Sequence, residues 1–99
     1  MAALQRFSPH YGGGQVVSAT STSAQATVAG SALGLRITNF DAANVAYVKV
    51  GSGTFTASTA DYPIRPNSEI WVTKPYGADK VAYYSLAGSS LHIIEGEGF

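Results

Sequence analysis

From Leu33 to Phe99, apolar residues recur at every second position until a Gly, Pro, Asn or Asp interrupts them, and then the alternation resumes. A period of two sends successive side chains to opposite faces of a strand. Short alternating runs with a turn signal about every ten residues restrict the chain to a small all-β domain. The expected architecture is an antiparallel β-sandwich or jelly roll with an extended N-terminal arm. No segment carries a 3.6-residue apolar period, so helix is expected to be negligible.

The strands read as follows. Leu33, Leu35 and Ile37 share one face, with Gly34, Arg36 and Thr38 opposite. Asn39 to Asn44 is a turn, because Asn and Asp side chains bond their own backbone. Ala46, Val48 and Val50 then alternate with Tyr47 and Lys49, which predicts a hairpin with the preceding strand. Gly51-Ser52-Gly53 turns the chain into a further strand, Thr54–Thr59, with Phe55 and Ala57 on one face. Asp61–Ile64 is extended because a residue before proline is pushed out of the α region. Arg65-Pro66-Asn67-Ser68 is a turn, with proline presetting φ at the first central position. Glu69–Thr73 and Lys80–Leu86 are strands separated by a loop with Pro75, Gly77 and Asp79. Core packing is the expected role of Trp71 or its neighbours. Tyr83 and Tyr84 must face opposite sides, so at most one lies in the core. Ala87-Gly88-Ser89 turns into the last strand, Leu91–Ile94, which is apolar on both faces and so is central or at an interface. Upstream, Gln15–Thr20 and Ala24–Ala29 read as two weaker strands turned at Thr20–Ser23.

Residues 1–14 read as the arm and 15–99 as one domain. Pro9 and Gly12-Gly13-Gly14 do not suit a helix or a central strand. Yet the arm carries Leu4, Phe7 and Tyr11, with the glycines as a hinge, which suits docking on another surface. The first six residues lack the apolar core of a secretion signal, and no apolar run reaches the roughly 20 residues of a membrane helix. Synthesis in the cytoplasm and no membrane partner are the expectations.

With 99 residues and no cysteine, the domain has neither disulfides nor a thiolate metal site. Oligomerisation is the remaining common way to add buried area. Charged residues make up 12% of the chain, six basic and six acidic, against about 25% in a typical soluble domain. The basic residues Arg6, Arg36, Lys49, Arg65, Lys74 and Lys80 are scattered, so no footprint for nucleic acid is visible. Low charge suits burial against protein.

Residues for chemistry are scarce. His10 lies in the arm and His92 in the last strand; a lone strand histidine reads as a hydrogen-bonded structural residue. Serines and threonines abound, but without a nucleophile elbow or a readable Ser-His-Asp pattern. Glu95 and Glu97 point the same way in an extended segment, but calcium wants six or more oxygens, and the pair reads as a solvated terminus. The glycine triplet lacks the Lys-Ser/Thr and helix of a phosphate loop. The expectation is a non-enzyme with no catalytic, cofactor-binding or metal-binding residue. Tyr47, Tyr62, Trp71, Tyr76, Tyr83 and Tyr84 are many for so small a chain, and aromatics anchor protein interfaces or sugar platforms.

Four segments, Leu35-Arg36-Ile37-Thr38-Asn39, Ala46-Tyr47-Val48-Lys49-Val50-Gly51, Thr59-Ala60-Asp61-Tyr62-Pro63-Ile64 and Ile94-Glu95-Gly96-Glu97-Gly98-Phe99, resemble a group of small tailed-phage virion proteins often encoded beside the major capsid protein. The resemblance covers roughly residues 33–99, and Tyr62 stands where the family pattern carries a smaller or unbranched residue. It implies a cement or decoration protein on the outside of a phage capsid, forming a homotrimer and bridging copies of the major capsid protein, or else a subunit of a head fibre, spike or tail. Under that reading the contacts to capsid or sister subunit fall to Leu4, Arg6, Phe7, Tyr11, Tyr62, Tyr76, Tyr84 and Phe99. A carbohydrate-binding module using Tyr76 or Trp71 is the competing reading.

Overall fold

The structure, a computed structural model, describes residues 8–28, 32–75 and 77–97. They form nine strands: β1 (Ser8–Pro9), β2 (Gln15–Ala19), β3 (Ala24–Thr27), β4 (Gly34–Asn39), β5 (Ala46–Gly51), β6 (Tyr62–Ile64), β7 (Ser68–Thr73), β8 (Lys80–Tyr84) and β9 (Ser89–Glu97). No described residue is helical.

The pairing is that of a jelly roll. β2 pairs with β9, β3 with β8, β4 with β7 and β5 with β6, all antiparallel. The chain is thus one long hairpin folded back on itself. Rolling it up also brings β4 against β9 and β5 against β8. Two sheets result, one in the order β1-β9-β4-β7 with β2 also on β9, the other β3-β8-β5-β6. The sandwich or jelly roll expected from the strand spacing is what forms.

The inner faces pack Leu35 and Ile37 of β4, Leu91 and Ile93 of β9, Val48, Ile64, Val81 and Tyr83 into one core. These are the inward members of each alternation, so the period of two does position the core. At about 25 cal/mol per Å² of apolar area removed from water, this cluster is the main source of stability.

Several expectations are overturned. β4 and β5 are not a hairpin, for they lie in different sheets. The segment between them makes a corner instead. Asn39 is fully buried; its Nδ2 donates to Asn44 O at 2.8 Å and to Ile64 O of the other sheet at 3.1 Å, and its Oδ1 accepts from Asp41 N at 2.9 Å. Asp41 Oδ2 accepts from the amides of Ala43 and Asn44. These bonds carry the chain across rather than back.

Thr54–Thr59 is not a strand. It belongs to a loop that crosses the outer face of the second sheet. Gln25 donates to Gly53 O at 3.0 Å, Lys49 Nζ stands 5.9 Å from the centre of the Phe55 ring, and Ala57 N donates to Ser23 Oγ at 2.8 Å. Gln25, Ala82 and Lys49 lie in one cross-strand row. Ala82 points outward from that row and is nevertheless fully buried, because the loop lies over it.

Trp71 is not in the core but 40% exposed on the outer face of the first sheet. Its neighbours Ile70 and Val72 take the inner positions instead. Tyr83 is buried and Tyr84 faces outward, as their adjacency required.

The glycine triplet is not a loose hinge. Ser8–Pro9 pairs with the end of β9, where an edge position tolerates proline. His10 N donates to Glu95 O at 2.8 Å, and a turn follows with Gly13 N bonded to His10 O. Gly12 has φ +82°, a conformation glycine adopts without penalty. A Cβ on Gly14 would stand 2.6 Å from His92 Nε2, so a side chain there would require the ring to move. Glu95 is not part of a solvated terminus either: it is buried, on the inner face of β9.

Candidate functional site

The two outer faces of the sandwich differ. The second sheet is roofed along one row by its own loop. The first sheet has no such roof among the described residues. Reading across β2, β9, β4 and β7, one outer row holds Val16, His92, Thr38 and Glu69. The next row holds Ile94, Arg36 and Trp71. Phe40, just past β4, bonds its amide to Ser90 O and stands with its ring 6.1 Å from that of His92. Val16, Phe40 and Trp71 are exposed large apolar residues on this one face.

A charged cluster sits among them. Arg36 donates from Nε to Glu69 Oε1 at 3.0 Å, and its second guanidinium nitrogen bonds the same oxygen. Trp71 Nε1 donates to Glu69 Oε2 at 3.0 Å, and the Arg36 guanidinium lies 5.5 Å from the centre of the Trp71 ring. The hydrogen bonds from Arg36, with a smaller one from Trp71, hold the Glu69 carboxyl below its ordinary range despite some desolvation. The cluster holds the Trp71 ring beside the Arg36–Glu69 pair, whose charges offset each other. The face is therefore aromatic, apolar and uncharged in sum, the composition of an interface core.

Of the residues expected to make contacts, the three that are described, Tyr11, Tyr62 and Tyr84, stand apart from one another. Leu4, Arg6, Phe7, Tyr76 and Phe99 lie outside the described residues. Tyr11 is 90% exposed in the turn between β1 and β2, at the edge of the first sheet. Tyr62 is half-exposed on β6, an edge of the second sheet. Tyr84 is half-buried on the outer face of the second sheet, its ring 6.3 Å from that of Tyr47. Tyr62 shares a row with Val48 and Tyr83, whereas Tyr84 shares one with Tyr47 and Pro63, so their side chains leave opposite faces.

Sequence reasoning missed Val16, Phe40 and the Arg36–Glu69–Trp71 cluster. Arg36 and Glu69 had a signal, since each stands at an outward position of its strand, but only the β4–β7 register brings them together. Lys74 was also missed. It is buried, with Nζ donating to Ala78 O at 2.8 Å, and so anchors the loop between β7 and β8.

Among the described residues, no three His, Cys, Asp or Glu side chains stand close enough to hold a metal ion. His10 and Glu97 approach to 3.6 Å at the edge of the sheet, both half-exposed. No described helix is long and apolar enough to cross a membrane. No protein-family model matches the chain, and no curated protein matches it.

Proposed function

We propose that this chain is a structural virion protein of a tailed phage, docked on the outside of the capsid lattice as a cement protein that joins copies of the major capsid protein. The observation that carries the reading is the asymmetry of the two outer faces. One sheet is covered by its own loop, while the other presents Val16, Phe40 and Trp71 around a self-neutralised ion pair. A face of that kind suits protein rather than nucleic acid, which would call for a basic surface. The jelly roll is also a recurrent fold of virion proteins, an argument by analogy of fold alone. The resemblance in the segments around Leu35, Ala46, Thr59 and Ile94 points the same way.

In this role the module acts as a homotrimer at a symmetry point of the lattice. Each contact is modest. Several linked weak contacts gain about 10²–10⁴ in avidity, which is what holds a capsid together under pressure or heat. Tyr11, exposed at the edge of the first sheet, contacts a neighbour in this role.

The test uses purified particles. Those lacking the protein should lose thermal and osmotic resistance, and added protein should rebind at hundreds of copies and restore it. Failure to rebind sinks the proposal. A few copies per particle would assign the protein to a fibre, spike or tail.

A further inference from the structure

The end of the second sheet holds a cleft that the docking face does not use. It encloses about 240 Å³ and is lined by Ala43, Asn44, Val45, Tyr47, Thr59, Leu86 and Ala87. We propose that this cleft binds one ring of a neutral saccharide.

The argument begins with how firmly the walls are held. Three connections meet here, and each is fixed by its own hydrogen bonds. In the β4–β5 corner, Asn44 is bonded through its amide to Asp41 Oδ2, through its carbonyl to Asn39, and through Nδ2 to Gly88 O at 2.7 Å. That last bond also ties the corner to the β8–β9 turn, where Ser85 Oγ donates to Val45 O. In the long loop before β6, Ser58 N donates to Asp61 Oδ2, Asp61 N to Ser58 O, and Ala60 N to Ser58 Oγ, which holds Thr59 at the tip of a closed turn. The Tyr47 ring is braced by Tyr84. A pocket whose walls are already fixed binds without a large ordering cost.

The chemistry of the walls selects the ligand. No lining residue is charged, so nothing compensates a charged ligand for its desolvation. Tyr47 lines the cleft with an aromatic side chain, and Leu86, 73% exposed, with an apolar one. Among the described residues, Asn44 Oδ1, the Thr59 hydroxyl and the Tyr47 hydroxyl have no hydrogen-bond partner. With Nδ2 committed to Gly88, Asn44 Oδ1 is a fixed acceptor. A pyranose carries both complements: C–H edges that pack on an aromatic ring, and hydroxyls that donate to and accept from an amide oxygen and two hydroxyls. The volume falls below the usual range for drug-sized ligands and suits a single ring. At an ordinary ligand efficiency, a hexose of about twelve heavy atoms binds with a Kd of a few millimolar. Many copies on one particle would raise that to a useful avidity. Trp71 has no part in this site, since it stands on the other sheet.

The experiment is a ¹⁵N–¹H NMR titration of the intact protein with D-glucose, D-galactose, D-mannose and N-acetyl-D-glucosamine. At least one of these should give saturating shifts clustered at residues 43–47, 59 and 84–87. Tyr47→Ala should weaken that binding at least about tenfold, and Thr59→Val by about two- to tenfold. Trp71→Ala should leave it unchanged. Thr59 is exposed, so T59V keeps the test valid should Y47A fail to fold. The proposal is overturned by the absence of saturating shifts with all four sugars at concentrations well above the expected Kd, or by shifts that survive T59V undiminished. T59V protein that rebinds capsids normally but no longer binds sugar would separate this site from the docking face.

Discussion

Asn39 is a single buried amide on which the crossing between the two sheets depends. Replacing it with alanine removes three hydrogen bonds: two from Nδ2, to Asn44 O and Ile64 O, and one accepted by Oδ1 from Asp41 N. At a net value of about 1 kcal/mol each, the loss is about 3 kcal/mol, and more if the two carbonyls stay dry. For a domain of this size that lowers Tm by roughly 12–24 °C. Asn39→Asp sharpens the test. Its ionised form would set one oxygen, in the place of Nδ2, against both carbonyls, so burial and repulsion raise the folded-state pKa above the unfolded value of about 3.9. The folded state then holds the proton more tightly than the unfolded state does. Stability is therefore greatest below the unfolded pKa and falls as pH rises towards the folded one, by up to about 1.4 kcal/mol per pH unit. Urea denaturation at pH 4 and pH 7, with the m-value monitored, reads both effects. Asn39→Ala within 1 kcal/mol of the parent, or Asn39→Asp no less stable at pH 7 than at pH 4, would refute this account of the corner.

Other perturbations have outcomes as definite. Gly14→Ala should cost about 1–3 kcal/mol, because its Cβ would stand 2.6 Å from His92 Nε2; thermal denaturation should show most of that cost relieved by His92→Ala, which removes the obstructing ring. Ala82→Leu should destabilise by a similar amount and raise the protease sensitivity of the 52–60 loop, since that loop lies on Ala82; an unchanged cleavage rate would show that the loop packs elsewhere. Glu69→Gln should cost only about 0.5 kcal/mol, because the pair with Arg36 is over a third exposed on the arginine side. Because the folded pKa of Glu69 lies below the unfolded value, this contribution is present above about pH 4.3 and fades as pH falls through the folded pKa. Trp71 fluorescence across an acid titration follows it, and added salt should shrink the difference between E69Q and the parent.

The division between what the residues announced and what they concealed follows the range of the forces. Alternation is a local property, so it located β4, β5, β7 and β8 and put Leu35, Ile37, Val48 and Ile93 on the inner face. Turn chemistry is local too. Asn67, expected to suit the second central position, takes φ +53° there, which asparagine tolerates. Pairing is not local. The Asn39–Asn44 segment reads equally as a hairpin turn or as a corner, and only the buried amide of Asn39 and the carbonyl of Ile64 decide between them. The loop over Ala82 looked like a strand because Phe55 and Ala57 alternate. Their partners are a sheet face rather than a strand edge. Between Trp71 and its neighbours, the inner positions went to Ile70 and Val72, because Arg36 and Glu69, brought together only by the β4–β7 register, make a place for Trp71 outside. The candidate docking face was illegible for the same reason: its members come from four separate stretches of chain.

The long folded hairpin also sets the order in which the molecule can be made. β2 emerges early from the ribosome, yet its partner β9 is the last strand of the nine, and β9 lies at the centre of its sheet between β2 and β4. Until β9 arrives, β4 lacks a neighbour on one side and the core lacks Leu91 and Ile93. Only the innermost pair, β5 with β6, closes over a short stretch of chain. With so many distant partners, folding is slow. During that interval the chain exposes unpaired strand edges. A late-closing sheet of this kind is most vulnerable at high expression, where intermolecular edge pairing competes with the arrival of its own final strand.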